Sequence, residues 1–291
     1  MRVIVTGATG FLGQNIVNII KEKYDCFSLG FNNASKKDVY KVDLTNKKEV
    51  FSILNKINPD VIIHTVALTD VDKCQNDPFN AYQLNVQTTK NIVDWVQYKD
   101  NDIQLIYIST DQVYNNECAS SEIDDVSPIN VYGMTKLWGE EKALLLKKST
   151  VLRVNFVGFG ENGLIGWLIR MNNKKSKVKL FNDVTFNPIY IPNLVSIIIS
   201  IVEEKKYGIF NVGSAGGCMT KAEYATKIID RFSLCGIRAS VGRMANTSFI
   251  TAPRPLNMCL DVNKIENSLN IKLPSLEESI NLICIDYLKN I

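Results

Sequence analysis

No two cysteines in this chain stand at the spacing of a metal or redox motif. The seven present, Cys26, Cys74, Cys118, Cys218, Cys235, Cys259 and Cys284, are an odd number without a CxxC pair. That pattern argues against a disulfide framework and against zinc, and it favours a reducing compartment. Histidine is scarcer still. His64 is the only one, and its place inside the apolar run VIIHTVA reads as a hydrogen-bonded core residue rather than a catalyst. No Lys/Arg run is long enough for a nucleic-acid arm; Lys36-Lys37 and Lys174-Lys175 read as solvated loops, and the net charge is only +3. No apolar run approaches the length of a bilayer span. The longest, LVSIIISIV at residues 194–202, reads as a buried helix. The opening MRVIVTGATG meets glycines too soon for a signal peptide. The expectation is a soluble cytoplasmic protein with no metal site and no nucleic-acid or membrane partner.

What is present is ordinary globular composition, 46% hydrophobic and 22% charged over 291 residues, with ample length for a buried core. Strand-like and helix-like segments alternate from the start. RVIVT is a β-branched run, and residues 10–21 carry apolar side chains close to a helical period. CFSLGF is strand-like, and Thr45 is placed to cap the next helix. VIIHTVA reads as a parallel strand buried on both faces. Asp77-Pro78 opens a helix with proline in its first turn. IQLIYIS, the helix at 132–146 and the strand VLRVNFVG follow. This alternation predicts an α/β fold with a doubly wound parallel sheet. Residues 1–155 form the expected dinucleotide-binding domain. Residues 156–291 are mainly a smaller substrate-binding lobe, from which about 188–213 returns to the sheet. VKLF and ASVGR are isolated strand candidates there, GIFNVG is one more sheet strand, and Thr220…Glu223 and Ser275…Glu278 are capping boxes.

VTGATGFLG places Gly7, Gly10 and Gly13 between the first strand and the first helix. Such spacing permits a tight turn, a close backbone approach to a pyrophosphate, and helix–strand packing. The helix N-terminus adds free N–H groups and the positive end of its dipole. The second strand ends LGFNNASKK, with no acid before Asp38 to bind a ribose 2′-hydroxyl. Asn32 and Lys36, beside Asn33, Ser35 and Lys37, suit a 2′-phosphate, so NADP(H) is favoured over NAD(H). Asp43 in VDLT falls after the third strand, either near the adenine edge or as a helix cap.

VYGMTKLWGEE carries Tyr132 and Lys136 on one helix face. The lysine can lower the phenol pKa and hold a ribose, and the phenol can exchange a proton with a carbonyl oxygen. Composition alone gives about one such Tyr-x-x-x-Lys by chance, so position carries the reading. The motif opens the helix after the strand that ends in Ser109-Thr110, and ligands in such sheets bind at strand carboxyl ends. Thr110 is placed to hydrogen-bond the reacting oxygen beside Tyr132. Asn85, between Leu84 and Val86, either orients the site or is a solvated helical residue. GSAGG at 213–217 reads as a strand-to-helix turn rather than a second anion nest. Arg243 either reaches an anion or pairs on the surface.

TGATGFLG, VDLT, HTVALTDVDKC, LNVQTTKNI, STDQVY, PINVYGMTKLWGE, LRVNFVG and APRPLNMCLD together resemble the extended short-chain dehydrogenase/reductase superfamily. Within it the chain most resembles the dTDP-4-dehydrorhamnose reductase-like family. The resemblance implies NAD(P)H-dependent reduction of a 4-keto nucleotide sugar, with Thr110, Tyr132 and Lys136 as the catalytic triad. It implies a cofactor set of Gly7, Thr9, Gly10, Phe11, Leu12, Gly13, Asn32, Lys36, Asp43, Leu44, Ala67 and Ser109, joined by Tyr132 and Lys136. Asp70, Asp72, Lys73, Asp111 and Asn155 lie near the substrate in this reading, and Arg254 of the PRP stretch faces its diphosphate. The pattern departs in places. Phe156 stands where the family usually has Trp, and QVY replaces YVF. The sequence is compatible with a homodimer but does not place its interface.

The residue after Thr110-Asp111 separates related reactions. Nucleotide-sugar 4,6-dehydratases carry Thr-Asp-Glu at this edge, because removing water across C5–C6 needs a base and an acid. Here the third residue is Gln112, which has no titratable proton. Epimerase-reductases use a Cys/His pair; here Asp111 holds the cysteine position. Simple ketone reduction needs only the triad. Two alternatives stand beside it: a C4 epimerase holding NAD, and a regulatory subunit resembling the β subunit of methionine adenosyltransferase.

Overall fold

Residues 1–31, 38–99, 102–160, 163–244, 247 and 250–289 are described by a computed structural model of the chain. Asn32 and Lys36, expected at the cofactor, lie outside the described residues, as do Asn33, Ser35 and Lys37. The strands in chain order begin with β1 (Arg2–Thr6), β2 (Asp25–Gly30), β3 (Val39–Lys41), β4 (Val61–His64), β5 (Gln104–Thr110) and β6 (Ser149–Val154). They continue with β7 (Phe156–Val157), β8 (Lys177–Phe181), β9 (Thr185–Phe186), β10 (Ile189–Tyr190), β11 (Gly208–Val212), β12 (Met219–Thr220), β13 (Arg238–Gly242) and β14 (Asn257–Met258). The helices are α1 (Phe11–Ile20), α2 (Lys47–Ile57), α3 (Val71–Asn76), α4 (Pro78–Tyr82), α5 (Thr88–Lys99), α6 (Val131–Ala143), α7 (Leu164–Asn173), α8 (Ile191–Glu204), α9 (Lys221–Arg231), α10 (Asn263–Leu269) and α11 (Leu276–Lys289).

The apolar runs form one parallel sheet of seven strands among the described residues, in the order β11-β6-β5-β4-β1-β2-β3. Successive side chains of a strand point to opposite faces. Val3, Val5, Ile63, Ile106 and Leu152 therefore meet α1 and α8 on one face. Ile4, Ile62, Leu105, Tyr107 and Val151 meet α2 and α5 on the other. The order reverses at β1, where connections leave toward both edges. This is the switch point at which doubly wound sheets open a crevice at their strand carboxyl ends.

The rest of the chain packs α7, α9 and α11 around a second core that includes Ile165, Leu180, Tyr224 and Ile280. The two strand candidates that looked isolated pair with each other: β13 runs parallel to β8. A small three-stranded sheet, β12-β9-β14, sets Thr220 and Asn257 on either side of Thr185. Both expected capping boxes form, at Thr220 and at Ser275.

Two expectations need correction, and one element was not read. The cap of α2 is Asn46, whose side chain accepts from Lys48 N at 3.1 Å, because Thr45 donates its hydroxyl to Asp43 instead. Asp70 starts a short helix, α3, that is too brief to announce itself by periodicity. Cys218 and Cys259, flanking β12 and β14, are joined by a disulfide, although the odd count argued against one. No helix among the described residues is long and apolar enough to cross a membrane.

Candidate active site

The turn after β1 is shaped by two glycines. Gly7 has φ +65, in the left-handed region that a β-carbon disfavours. A β-carbon on Gly13 would come within 2.2 Å of the Gly7 carbonyl oxygen. α1 begins at Phe11 on the Gly10 cap, with no side chain capping its N–H groups. An uncapped helix start facing a crevice is an anion cradle. The residues present thus fit a dinucleotide pyrophosphate. The Phe11 ring packs against Gly160 and Phe156, so its backbone rather than its ring faces the cradle. Leu12 and Leu44 are buried in the cores on either face of the sheet. Asp43 accepts from Thr45 N at 2.9 Å and from its hydroxyl, which holds the turn into α2.

β5 delivers Ser109, Thr110 and Asp111 to its carboxyl end, and all three are buried. α6 starts directly opposite. Asn130 caps it by accepting from Gly133 N at 2.8 Å. The cap brings Tyr132 and Lys136 against the strand end, also buried. Burial pushes the Tyr132 phenol above its ordinary value, and a hydrogen bond with Thr110 opposes this. Lys136 donates to Ile108 O at 2.7 Å, lies 4.1 Å from the Tyr107 ring centroid, and is pushed down by burial to about 7. The phenol is therefore governed by burial and Thr110, and the ammonium is aimed at the strand rather than at the phenol. The Ser109 hydroxyl turns to Glu140, which pairs with Arg153 at 2.7 Å inside the protein. Ala67 lies in the loop after β4, half-buried.

Thr110 donates to Asp111 at 2.9 Å, and Asn155 donates to the other oxygen of the same carboxylate. Burial raises the Asp111 pKa to about 6 against the hydrogen bonds that favour its charge. The other expected substrate carboxylates are engaged elsewhere. Asp70 caps α3 by accepting from Lys73 N at 3.0 Å. Asp72 accepts from Thr251 N, Ala252 N and Arg254 Nη2, the last at 2.6 Å, and this holds its carboxyl well below the usual range. Arg254 and Asp72, both expected at the substrate, thus hold each other.

Three residues singled out in the sequence lie around these groups. Asn85 is fully buried in a π-helical turn. It accepts from Leu68 N at 2.7 Å and donates to Thr135 of α6 at 2.9 Å. Its burial excludes the solvated alternative, and its bonds tie the loop after β4 to α6; an Asn between apolar neighbours was the available signal. Gln112 accepts from Asn130 Nδ2 at 3.0 Å, and the same amide donates to Pro253 O at 2.9 Å. Asn130, the α6 cap, therefore joins both Gln112 and the stretch that carries Arg254. His64 lies in the core as expected. Its Nδ1 pairs with Thr6 Oγ1 at 2.7 Å, and burial lowers its pKa to about 3.

The sequence profile of the family described as "RmlD substrate binding domain" matches residues 1–288. A dTDP-4-dehydrorhamnose reductase of Aggregatibacter actinomycetemcomitans is 28% identical, over 93% of this chain and 94% of that protein. The methionine adenosyltransferase 2 subunit beta of Rattus norvegicus is 29% identical, over 91% and 81%. A crystal structure of dTDP-4-dehydrorhamnose reductase from Bacillus anthracis in complex with NADP superposes with a TM-score of 0.87 at 26% identity, covering 98% of this chain and 99% of that one.

Proposed function

The chain belongs to the RmlD substrate binding domain family, and from that premise we propose that it reduces the 4-keto group of a nucleoside-diphosphate 4-keto-6-deoxy sugar with NADPH. The observation that carries this reading is that Tyr132 hydrogen-bonds Thr110 at the end of β5 while Lys136 donates to Ile108 O of the same strand, in the sheet whose β1 leads into the glycine turn. NADPH, when bound, supplies a hydride to C4. Tyr132 gives its phenolic proton to the C4 oxygen as charge develops there, and Thr110 turns its hydroxyl from Asp111 to donate a hydrogen bond to that oxygen. The sum is ketone plus hydride plus proton, giving a secondary alcohol. Lys136 would hold the ribose, and the phenolate that remains regains its proton from solvent.

Gly7, Gly10 and Gly13 would hold the pyrophosphate with the start of α1, and Lys36 the 2′-phosphate. The second lobe would hold the nucleotide sugar. A homodimer and a cytoplasmic setting complete the reading. The test is NADPH oxidation followed at 340 nm with a panel of 4-keto sugar nucleotides; turnover of at least one is expected. The likeness to a methionine adenosyltransferase subunit favours a second reading, in which the same fold serves a partner enzyme. Co-purification with such an enzyme, together with no turnover of any 4-keto sugar nucleotide, would decide for it.

A further inference from the structure

Lys221 is the first residue of α9 in the second lobe, and its N–H donates to Val184 O at 2.8 Å. Lys221 is half-buried, and burial holds its pKa below the ordinary lysine value. The ammonium lies 5.9 Å from the Phe186 ring centroid; three residues on, Ile189 N donates to Asn155 O at 2.8 Å, Asn155 donates to Asp111, and the charges of Asp111 and Arg254 act on Lys221. Among the described residues no carboxylate pairs with it at ion-pair distance. The contrast with Arg254 is direct, since that guanidinium is already neutralised by Asp72 at 2.6 Å. A partly buried cation without a counterion carries a desolvation cost, and the cost is relieved when an anion docks. The small sheet explains the placement. β12 and β14 flank β9, so Lys221, just after β12, and Arg254, shortly before β14, approach the β5 end from the same lobe.

We propose that Lys221 is a substrate-positioning residue that binds the sugar-proximal phosphate of the nucleotide sugar, between the reacting centre at Asp111 and the Arg254 end. This rests on the nucleotide-sugar reading above. Neither the glycine turn nor the Tyr132 motif pointed to this residue.

The experiment is calorimetric titration of the NADP⁺-loaded protein with dTDP, UDP and GDP, for wild type, Lys221→Met and Lys221→Arg. Losing one charge-assisted hydrogen bond should weaken binding roughly ten- to hundredfold in Lys221→Met, and Lys221→Arg should restore most of it. With a 4-keto substrate, KM should rise in Lys221→Met while kcat stays within a few-fold. NADP⁺ affinity should be unchanged. The melting temperature without ligand should be equal or higher, because an unpaired, partly buried charge is gone. Equal nucleotide binding by wild type and Lys221→Met overturns the assignment alone. Loss of folding or of NADP⁺ affinity in Lys221→Met makes the residue structural and also overturns it. A wild type that binds none of the three nucleotides overturns the nucleotide-sugar reading itself, and the assignment with it.

Discussion

Tyr132 and Asp111 sit on the same hydroxyl, that of Thr110, and they are separable by experiment. Tyr132→Phe keeps the ring and removes only the proton. Turnover is expected to fall about a hundred- to ten-thousand-fold, with NADPH binding by calorimetry almost unchanged, since Lys136 and the glycine turn remain. Asp111 instead leaves a mark on stability. Its pKa is raised by burial to about 6, against about 4 in the unfolded chain. The folded state therefore binds more protons between pH 4 and 6, and stability falls as pH rises through that window. Asp111→Asn should flatten that segment of the urea-denaturation profile, by about 2 kcal/mol across the window. An unchanged slope would mean that Asp111 is ionised normally.

At the scale of elements, the turn after β1 and the start of α6 are the two positions where backbone placement decides the chemistry. Gly13→Ala would push a methyl group into the Gly7 carbonyl, so α1 must move off the strand. NADPH affinity should drop by at least tenfold, as read by fluorescence titration, with the Tyr132 region intact. Asn85→Ala removes the acceptor for Leu68 N and the donor to Thr135. Leaving those buried groups unsatisfied should cost about 2 kcal/mol in chemical denaturation and lower kcat as α6 loosens. The legibility of these elements in sequence follows their range. The glycine turn, the helix start at Pro78 and the capping boxes are local patterns, decided within a few residues, and they were readable. The cap of α2 was misplaced by one residue because Thr45 and Asn46 compete and Asp43 captures the threonine. The Arg254–Asp72 pair and the Cys218–Cys259 bond join distant segments. No spacing announces such contacts; the small sheet of the second lobe creates the disulfide, and the return of the chain to α3 creates the ion pair.

For the molecule as a whole, cofactor choice and reaction type are the two properties the sequence argues most sharply. The second strand ends without an acid, and lysines follow it. Replacing Lys36 and Lys37 with Glu should weaken NADPH much more than NADH; equal losses would remove the lysines from 2′-phosphate recognition. Reaction type turns on Gln112, which the structure engages with the α6 cap and which carries no proton for elimination. The most direct measurement uses NADPH deuterated at the transferable position of its nicotinamide, with a dTDP-4-keto-6-deoxy hexose, the product being read by proton NMR and mass spectrometry. The account predicts one deuterium at C4 of the sugar and an unchanged C5 and C6. Absence of deuterium from C4 under conditions where the nucleotide sugar binds would contradict it.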